Sequence, residues 1–329
     1  MKILRTEEFD VPIISIGNLS AGGTGKTPHT EYLIRLLQQE YRMAVLSRGY
    51  KRKSSGFILA NNQATADTIG DESYQIFCKF PGIQVAVDAN RRRGIKNLLN
   101  LPEDIRPEVI LLDDAYQHRY VKPSLSILLT EYSRPFSRDC LLPAGRLREP
   151  AKNKNRADIL IVTKSPSLSN NESLGELAKE FSLTPSQKLF CSAFSYSNMQ
   201  AVFPGNPEID LSKQEIDSAV LFSGIASPQP LIDYLEEYIP HLQIHLFPDH
   251  HAYNQSDFDF LFSSFQKVKD SKKILITTEK DKVKLINDPD FPEELKKHLY
   301  YLPIEVVFLQ QEIFNKTINN HVTAVRRNH

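Results

Sequence analysis

Ile13-Ile14-Ser15-Ile16 runs into Gly17-Asn18-Leu19-Ser20-Ala21-Gly22-Gly23-Thr24-Gly25-Lys26-Thr27, and residues 30–39 then place Leu33, Ile34, Leu36 and Leu37 at helical spacing. The first run reads as a short buried strand and the last as a helix. A glycine-rich loop ending in Gly-Lys-Thr between a strand and a helix is the context a phosphate-binding loop requires. Glycines let backbone N–H groups turn toward phosphate oxygens, and the helix N-terminus adds a favourable dipole. Ala21, Gly22, Gly23, Thr24, Gly25, Lys26 and Thr27 are therefore the expected nucleotide-binding residues. Lys26 would reach the β- and γ-phosphates and Thr27 would ligate Mg²⁺. Ser20 stands where the strict pattern has its first glycine. A plain glycine-rich turn is the competing reading, and Gly-Lys-Thr at the helix start argues against it.

Glu108-Val109-Ile110-Leu111-Leu112-Asp113-Asp114 is an apolar strand ending in acid. A carboxylate there can hold Mg²⁺ beside the phosphates. Asp113 and Asp114 are the expected metal residues, although Asp114 serves equally well as a neighbouring contact. The strand 159–162 continues into Thr163-Lys164-Ser165-Pro166, which approaches the guanine-reading Asn/Thr-Lys-x-Asp pattern but lacks its Asp. The expected nucleotide is ATP rather than GTP.

Further apolar runs recur at residues 43–46, 83–87, 109–112, 125–129, 159–162, 219–222, 274–276 and 304–309, with helix-like stretches at 30–39, 71–80 and 91–99. Strands alternating with helices predict an α/β fold: a P-loop NTPase-type doubly wound, mostly parallel sheet, with a second, smaller α/β domain. Residues 165–171 are rich in Ser, Asn and Pro, and 204–207 form a Pro-Gly-Asn-Pro breaker. The expected domains are 1–204 and 205–329, with the last strand and helix able to pack back on the first.

The chain has 329 residues, 40 Lys+Arg and 40 Asp+Glu. Zero net charge gives no general attraction to nucleic acid, and no nucleic-acid module is evident. Cys78, Cys140 and Cys191 form no CxxC pair and fit a reducing compartment. The N-terminus is too short and charged for a signal peptide, and no apolar run approaches the roughly 18 residues that span a bilayer. Membrane contact is expected to be peripheral.

Several strings together resemble the tetraacyldisaccharide 4′-kinase family of lipid A biosynthesis. They are Ile16-Gly17-Asn18-Leu19 through Gly25-Lys26-Thr27-Pro28, Leu46-Ser47-Arg48-Gly49-Tyr50, Gly70-Asp71-Glu72 and Asp113-Asp114-Ala115-Tyr116-Gln117-His118. Leu142-Pro143-Ala144-Gly145-Arg146-Leu147-Arg148-Glu149, Phe247-Pro248-Asp249-His250 and Thr278-Glu279-Lys280-Asp281 complete the set. They span almost the entire chain, and the family also lacks the glycine that Ser20 replaces. The resemblance implies ATP-dependent phosphorylation of the 4′-hydroxyl of an acylated glucosamine disaccharide 1-phosphate, giving lipid IV-A. It places the work at the cytoplasmic leaflet of the inner membrane of a Gram-negative bacterium, with no nucleic acid and no obligate protein partner.

By the same resemblance Asp71 is the base that takes the hydroxyl proton, oriented by His250, with His251 an open alternative. Two domains closing over the site would bring that pair together. An N-cap role is the structural alternative for Asp71. Asn18, Arg48, Arg91, Gln117, His118 and Arg148 are expected substrate contacts, and Glu149 supports Mg²⁺ directly or through water. Basic residues at 51–53 and 91–93 read as solvated faces or headgroup contacts. Thr278–Asp281 is either a nucleotide or domain contact or a charged strand-to-helix turn.

The family usually carries a hydrophobic or amphipathic helix ahead of the first strand. Here residues 1–10 are mostly polar, so attachment is expected through the lipid substrate and surface side chains. Two other readings use the same loop: another P-loop small-molecule kinase or ATP-dependent ligase, and a nucleotide-switch or metallochaperone GTPase. The latter predicts guanine preference, which the missing Asp after Lys164 disfavours.

Overall fold

The computed structural model describes residues 6–166, 171–213 and 216–327. The chain divides into two compact units, Met1–Phe194 with Val306–His329, and Ser195–Glu305. In chain order the first unit contributes β1 (Ile13–Asn18), α1 (Lys26–Leu37), β2 (Met43–Ser47), β3 (Ile58–Leu59), α2 (Ala66–Ile69), α3 (Asp71–Lys79), β4 (Gln84–Val87), α4 (Arg91–Leu99), β5 (Val109–Asp113), β6 (Leu125–Glu131), β7 (Ile159–Thr163), α5 (Asn171–Glu180) and β8 (Lys188–Tyr196). The second contributes β9 (Gln200–Ala201), β10 (Ser218–Ser223), α6 (Gln229–Glu236), β11 (His241–Leu246), α7 (Gln255–Lys267), β12 (Lys273–Thr278), α8 (Glu279–Leu285), α9 (Glu293–Lys296) and β13 (Leu299–Leu302). The chain returns to the first through β14 (Ile304–Phe308) and α10 (Gln311–Arg327).

The larger sheet has nine strands in the order β14-β8-β7-β6-β1-β5-β2-β4-β3. β1 pairs in parallel with β5 on one side (Ile14 opposite Leu111) and with β6 on the other (Ile14 opposite Leu125). The winding direction reverses at β1, and in such sheets ligands lie beyond the carboxyl ends of the strands at that reversal. The phosphate-binding loop leaves β1 at that end.

Side-chain alternation explains the near-continuous apolar runs. Ile14, Ile16, Leu111, Ile127 and Ile161 face Leu33, Ile34 and Leu37 of α1, with Phe314, Ile318 and Val322 of α10. Ile13, Ile110 and Leu112 point the other way, onto Ile95 and Leu98 of α4. Leu128, Leu160 and Val162 share that opposite face with Phe181. Strands covered on both faces need apolar residues at every position.

The second unit is a five-stranded sheet, β11-β10-β12-β13-β9, parallel except for β9 on β13. Leu221 and Ile276 pack with Leu235 on one face, and Phe222 and Leu275 with Phe258 and Leu261 on the other. It is a small α/β layer built by the same rules.

Two expectations need correction. Helix α1 begins at Lys26 rather than residue 30, because Pro28 is tolerated in a first helical turn where no N–H partner is needed. The division between units falls within β8 and β14, not near residue 205: Pro204-Gly205 is a turn inside the second unit, with Gly205 at φ 115°. Residues 167–170 of the Ser/Asn/Pro-rich stretch lie outside the described residues. No helix among the described residues is long and apolar enough to cross a membrane.

Gly17 is where β1 meets the loop after β5. A Cβ there would stand 2.7 Å from the Tyr116 Cβ and 2.9 Å from its backbone nitrogen. Gly17→Ala should lower unfolding free energy by roughly 1–3 kcal/mol, the cost of overpacking a rigid contact, as read by denaturant titration.

Candidate nucleotide and phosphoryl-transfer site

Strands around the reversal end in buried polar residues: Asn18 on β1, Ser47 on β2, Asp113 on β5, Glu131 on β6 and Thr163 on β7. They form the floor beneath the loop. Gly22 and Gly25 take φ of 113° and 85°, the left-handed region that glycine occupies without strain. Asn18 Nδ2 donates to Thr24 Oγ1 at 2.7 Å, and Thr163 Oγ1 donates to the Thr24 carbonyl at 3.0 Å. From the other side, Ala21 N donates to Arg146 O and Arg148 N to Leu19 O, each at 2.7 Å. Ser20 forms an antiparallel bridge with Leu147. Its backbone is therefore extended there, and the position needs no glycine. The Leu142–Glu149 string thus braces the loop through its backbone.

Asp113 is buried and accepts from Thr30 Oγ1 at 3.1 Å. Burial, then the charges of Glu72 and Asp114, push its carboxyl up to about 7, against the pull of Lys26 and Thr30. Burial also disfavours the charge on Asp114, yet Lys26 at 3.8 Å, Arg148 at 3.0 Å and Arg91 outweigh it and hold that carboxyl below its usual range. Two adjacent acids are thus driven apart, one short of positive charge and one saturated with it. Asp113 and Thr27 offer hard oxygens, and Mg²⁺ takes one or two carboxylates and completes its shell with substrate phosphates and water. Asp113, buried at the carboxyl end of β5 beside the phosphate loop, is the donor that fits such an ion. Among the described residues no group of three or more His, Cys, Asp or Glu side chains is gathered as a metal cage.

The basic residues divide. Arg148 Nη2 reaches Asp114 Oδ1 and both Asn18 oxygens, so this guanidinium is fixed beside Lys26's partner. Gln117 Nε2 donates to Asn18 O at 2.8 Å. Arg91 is 2% exposed, with Nη1 on the Asp88 carbonyl at 2.6 Å and Nη2 on the Asp113 carbonyl at 3.3 Å. Burial lowers its pKa to about 10 while Asp113 and Asp114 oppose that fall. Its contacts tie the ends of β4 and β5 together. His118 is pushed down to about 4 by burial and then by Arg91, and packs edge-on against Tyr120. Arg48 belongs to the same positive field, since it also depresses His118 and Arg91. Glu149 is engaged by Arg156 at 2.8 Å and Asn153 at 2.6 Å. Both contacts fall on Oε2.

Asp71 is the first residue of α3, and Gly70, at φ 86°, is the cap. The N-cap alternative for Asp71 is therefore displaced by one residue. In the second unit, His250 sits at φ 59° and its N–H donates to Gly224 O at 3.1 Å. Lys280 Nζ lies 3.1 Å from His250 Nε2 and 3.0 Å from Asp249. His251 instead pairs with Asp257 at 2.8 Å and stacks on Phe247. Buried Asp281 accepts from Gly224 N, Thr278 Oγ1 and Lys284. The Thr278–Asp281 string caps α8 and builds the loop that carries His250.

Sequence reasoning missed four contributors. Thr30 lies one helical turn past Thr27, a spacing that puts both on one face. Glu72 follows Asp71 directly, and its charge reaches Asp113. Lys280 was quoted only within the Thr278–Asp281 string, and its place beside His250 is set by the fold. Buried His29, with both ring nitrogens bonded, carried no sequence signal.

A raised carboxyl contributes stability below its unfolded pKa and loses it as pH rises through the folded one. Asp113 therefore costs stability progressively as pH climbs from about 4 to about 7, and the cost levels off above that. In nucleotide-free protein, Asp113→Asn should be more stable than the parent at pH 8, by on the order of 1–4 kcal/mol, and no more stable at pH 4. Thermal melts across that range check this.

Comparison with known proteins gives the family. The family model described as tetraacyldisaccharide-1-P 4′-kinase matches residues 1–323. A tetraacyldisaccharide 4′-kinase of Parabacteroides distasonis is 49% identical over 332 residues, covering 100% of this chain and 90% of the relative. One from Bacteroides thetaiotaomicron is 50% identical, covering 99% and 88%. Among solved structures, the "apo" form of LpxK from Aquifex aeolicus in complex with ATP superposes with a TM-score of 0.72 at 30% identity, covering 97% of this chain and 91% of that one. The chain belongs to the tetraacyldisaccharide-1-P 4′-kinase family.

Proposed function

We propose that this chain transfers the γ-phosphoryl group of ATP to the 4′-hydroxyl of a tetraacyldisaccharide 1-phosphate, giving lipid IV-A. The observation that carries the donor half is the convergence of Lys26, Asp113, Asp114 and Arg148 at the carboxyl end of β1, where the winding reverses. The acceptor half rests on family membership across residues 1–323.

In this reading the loop amides and Lys26 bind the phosphates. Asp113 and Thr27 would hold Mg²⁺, with Asp114 keeping Lys26 and Arg148 in place; when bound, the ion neutralises charge on the transferring group. Arg148, already fixed by Asp114 and Asn18, offers a positive charge that need not reorganise as the phosphoryl group moves. Such fixed charge stabilises a transition state far more than mobile solvent does. Asp71 takes the proton from the acceptor hydroxyl, and His250, set by Lys280, supports that transfer. Arg48 meets the anionic acceptor, whereas buried Arg91 acts by holding the ends of β4 and β5. The acceptor's acyl chains place the work peripherally at the cytoplasmic leaflet of the inner membrane.

Purified protein with labelled ATP, Mg²⁺ and detergent-dispersed tetraacyldisaccharide 1-phosphate should yield a labelled bis-phosphate lipid; no labelled lipid would sink the proposal. Chelation of Mg²⁺ should stop turnover. Asp71→Ala and His250→Ala should each lower kcat by about 10²-fold or more with ATP binding kept. Unchanged turnover in either variant removes that residue from the reaction. Lys26→Ala should cost roughly 10²–10³-fold in kcat/KM.

A further inference from the structure

We infer that His29 is a positioning residue that aims the phosphate-binding loop by holding the carbonyl of Gly25. The inference rests on the nucleotide-binding reading above and adds a part that its motifs do not contain. His29 lies on α1, one turn past Gly25, and is 2% exposed. Its Nδ1 stands 2.7 Å from the Gly25 carbonyl and its Nε2 2.9 Å from Ser192 Oγ on β8. A carbonyl only accepts, so Nδ1 carries the proton. Nε2 then offers a lone pair, and the Ser192 hydroxyl donates to it. One tautomer satisfies both bonds: the Gly25 carbonyl selects it, and the Ser192 hydroxyl turns to complete it.

The consequence for the loop follows from peptide geometry. The Gly25–Lys26 peptide is planar and trans, so its C=O and N–H point to opposite sides. The carbonyl is drawn into the helix by the imidazole and by the His29 N–H at 3.2 Å. The Lys26 N–H is thereby turned outward, to the side where the loop receives phosphate. Gly25 at φ 85° has no side chain to resist this, and a Cβ there would lie 2.9 Å from Phe194 Cζ.

The surroundings argue against simple filling. Phe308 packs edge-on to the imidazole at 5.9 Å and Phe194 lies 6.5 Å away. An apolar side chain would suit those neighbours. A buried imidazole is favoured there only when its nitrogens are bonded, and here both are.

The test compares the parent with His29→Leu, which keeps volume, His29→Asn, whose Nδ2 can replace the Nδ1 donor, and Ser192→Ala. The readouts are Mg²⁺-ATP affinity by calorimetry, KM for ATP, KM for the lipid acceptor, and melting temperature. His29→Leu should weaken ATP binding by about 10-fold and leave the acceptor KM within about twofold. Ser192→Ala should weaken ATP binding in the same direction, and His29→Asn should recover most of the loss. Parent-like ATP affinity in a folded His29→Leu protein overturns the inference while the kinase reading stands. So does an Asn variant that folds but binds ATP as weakly as the Leu variant, since that marks a packing role. Should the Leu variant fail to fold, the Asn and Ser192→Ala proteins decide alone: Asn binding at parent strength with a weakened Ser192→Ala supports it, and parent-like binding by Ser192→Ala overturns it. A parent protein that does not bind ATP overturns the nucleotide reading instead.

Discussion

Everything at the candidate site depends on one electrostatic constraint: two adjacent carboxylates, Asp113 and Asp114, end a buried strand, and the positive charge around them outweighs burial at only one of the two. Asp114 turns at φ 44° toward Lys26 and Arg148. Asp113 stays under the sheet end with a hydroxyl from Thr30 and the unfavourable field of Glu72. A buried carboxyl in that position is costly unless a cation arrives. The sheet creates the constraint because its winding reverses at β1, which places the end of β5 directly beside the phosphate loop.

The surrounding polar groups then have separable tasks. Asn18 joins the loop, Gln117 and Arg148 at a single residue, so the phosphate loop, the acidic strand end and the Leu-Pro-Ala-Gly string are tied together. Arg91 spends its charge inside the protein on two backbone carbonyls, and Glu149 on Arg156. Residues that a motif groups together are thus divided between those that face a ligand and those that hold the facing residues still. In the second unit Asp281 plays the holding part for the His250 loop.

The legible part of the fold was the part written in apolar periodicity. β1, β2, β5, β6 and β7 are buried at every position, and each produces a mostly apolar run. β8 was not foreseen, and α10 was expected only as a last helix able to pack back on the first domain. β8 mixes Lys, Ser and Tyr into its length, and α10 buries only Phe314, Ile318 and Val322 among polar neighbours. The phosphate loop and the paired acids were legible because strand, turn and helix needs converge on few residue types. Arg91's buried role, Glu149's contacts with Arg156 and Asn153, and the Lys280–His250 contact were not, because a charged side chain's partner is set by tertiary placement. The position of the first crossing between units escaped notice for a related reason: it runs through a strand, not through a Pro/Gly-rich linker.

The charge imbalance at Asp113 is the centre of this account, and it can be measured at the atom concerned. Carbon-detected NMR of the Asp113 carboxyl, assigned with Asp113→Asn, should show nucleotide-free protein titrating near about 7. With Mg²⁺ and a non-hydrolysable ATP analogue the same carboxyl should stay ionised to well below that value. An ordinary carboxylate titration in the free protein, or one that Mg²⁺-nucleotide leaves unmoved, would contradict it.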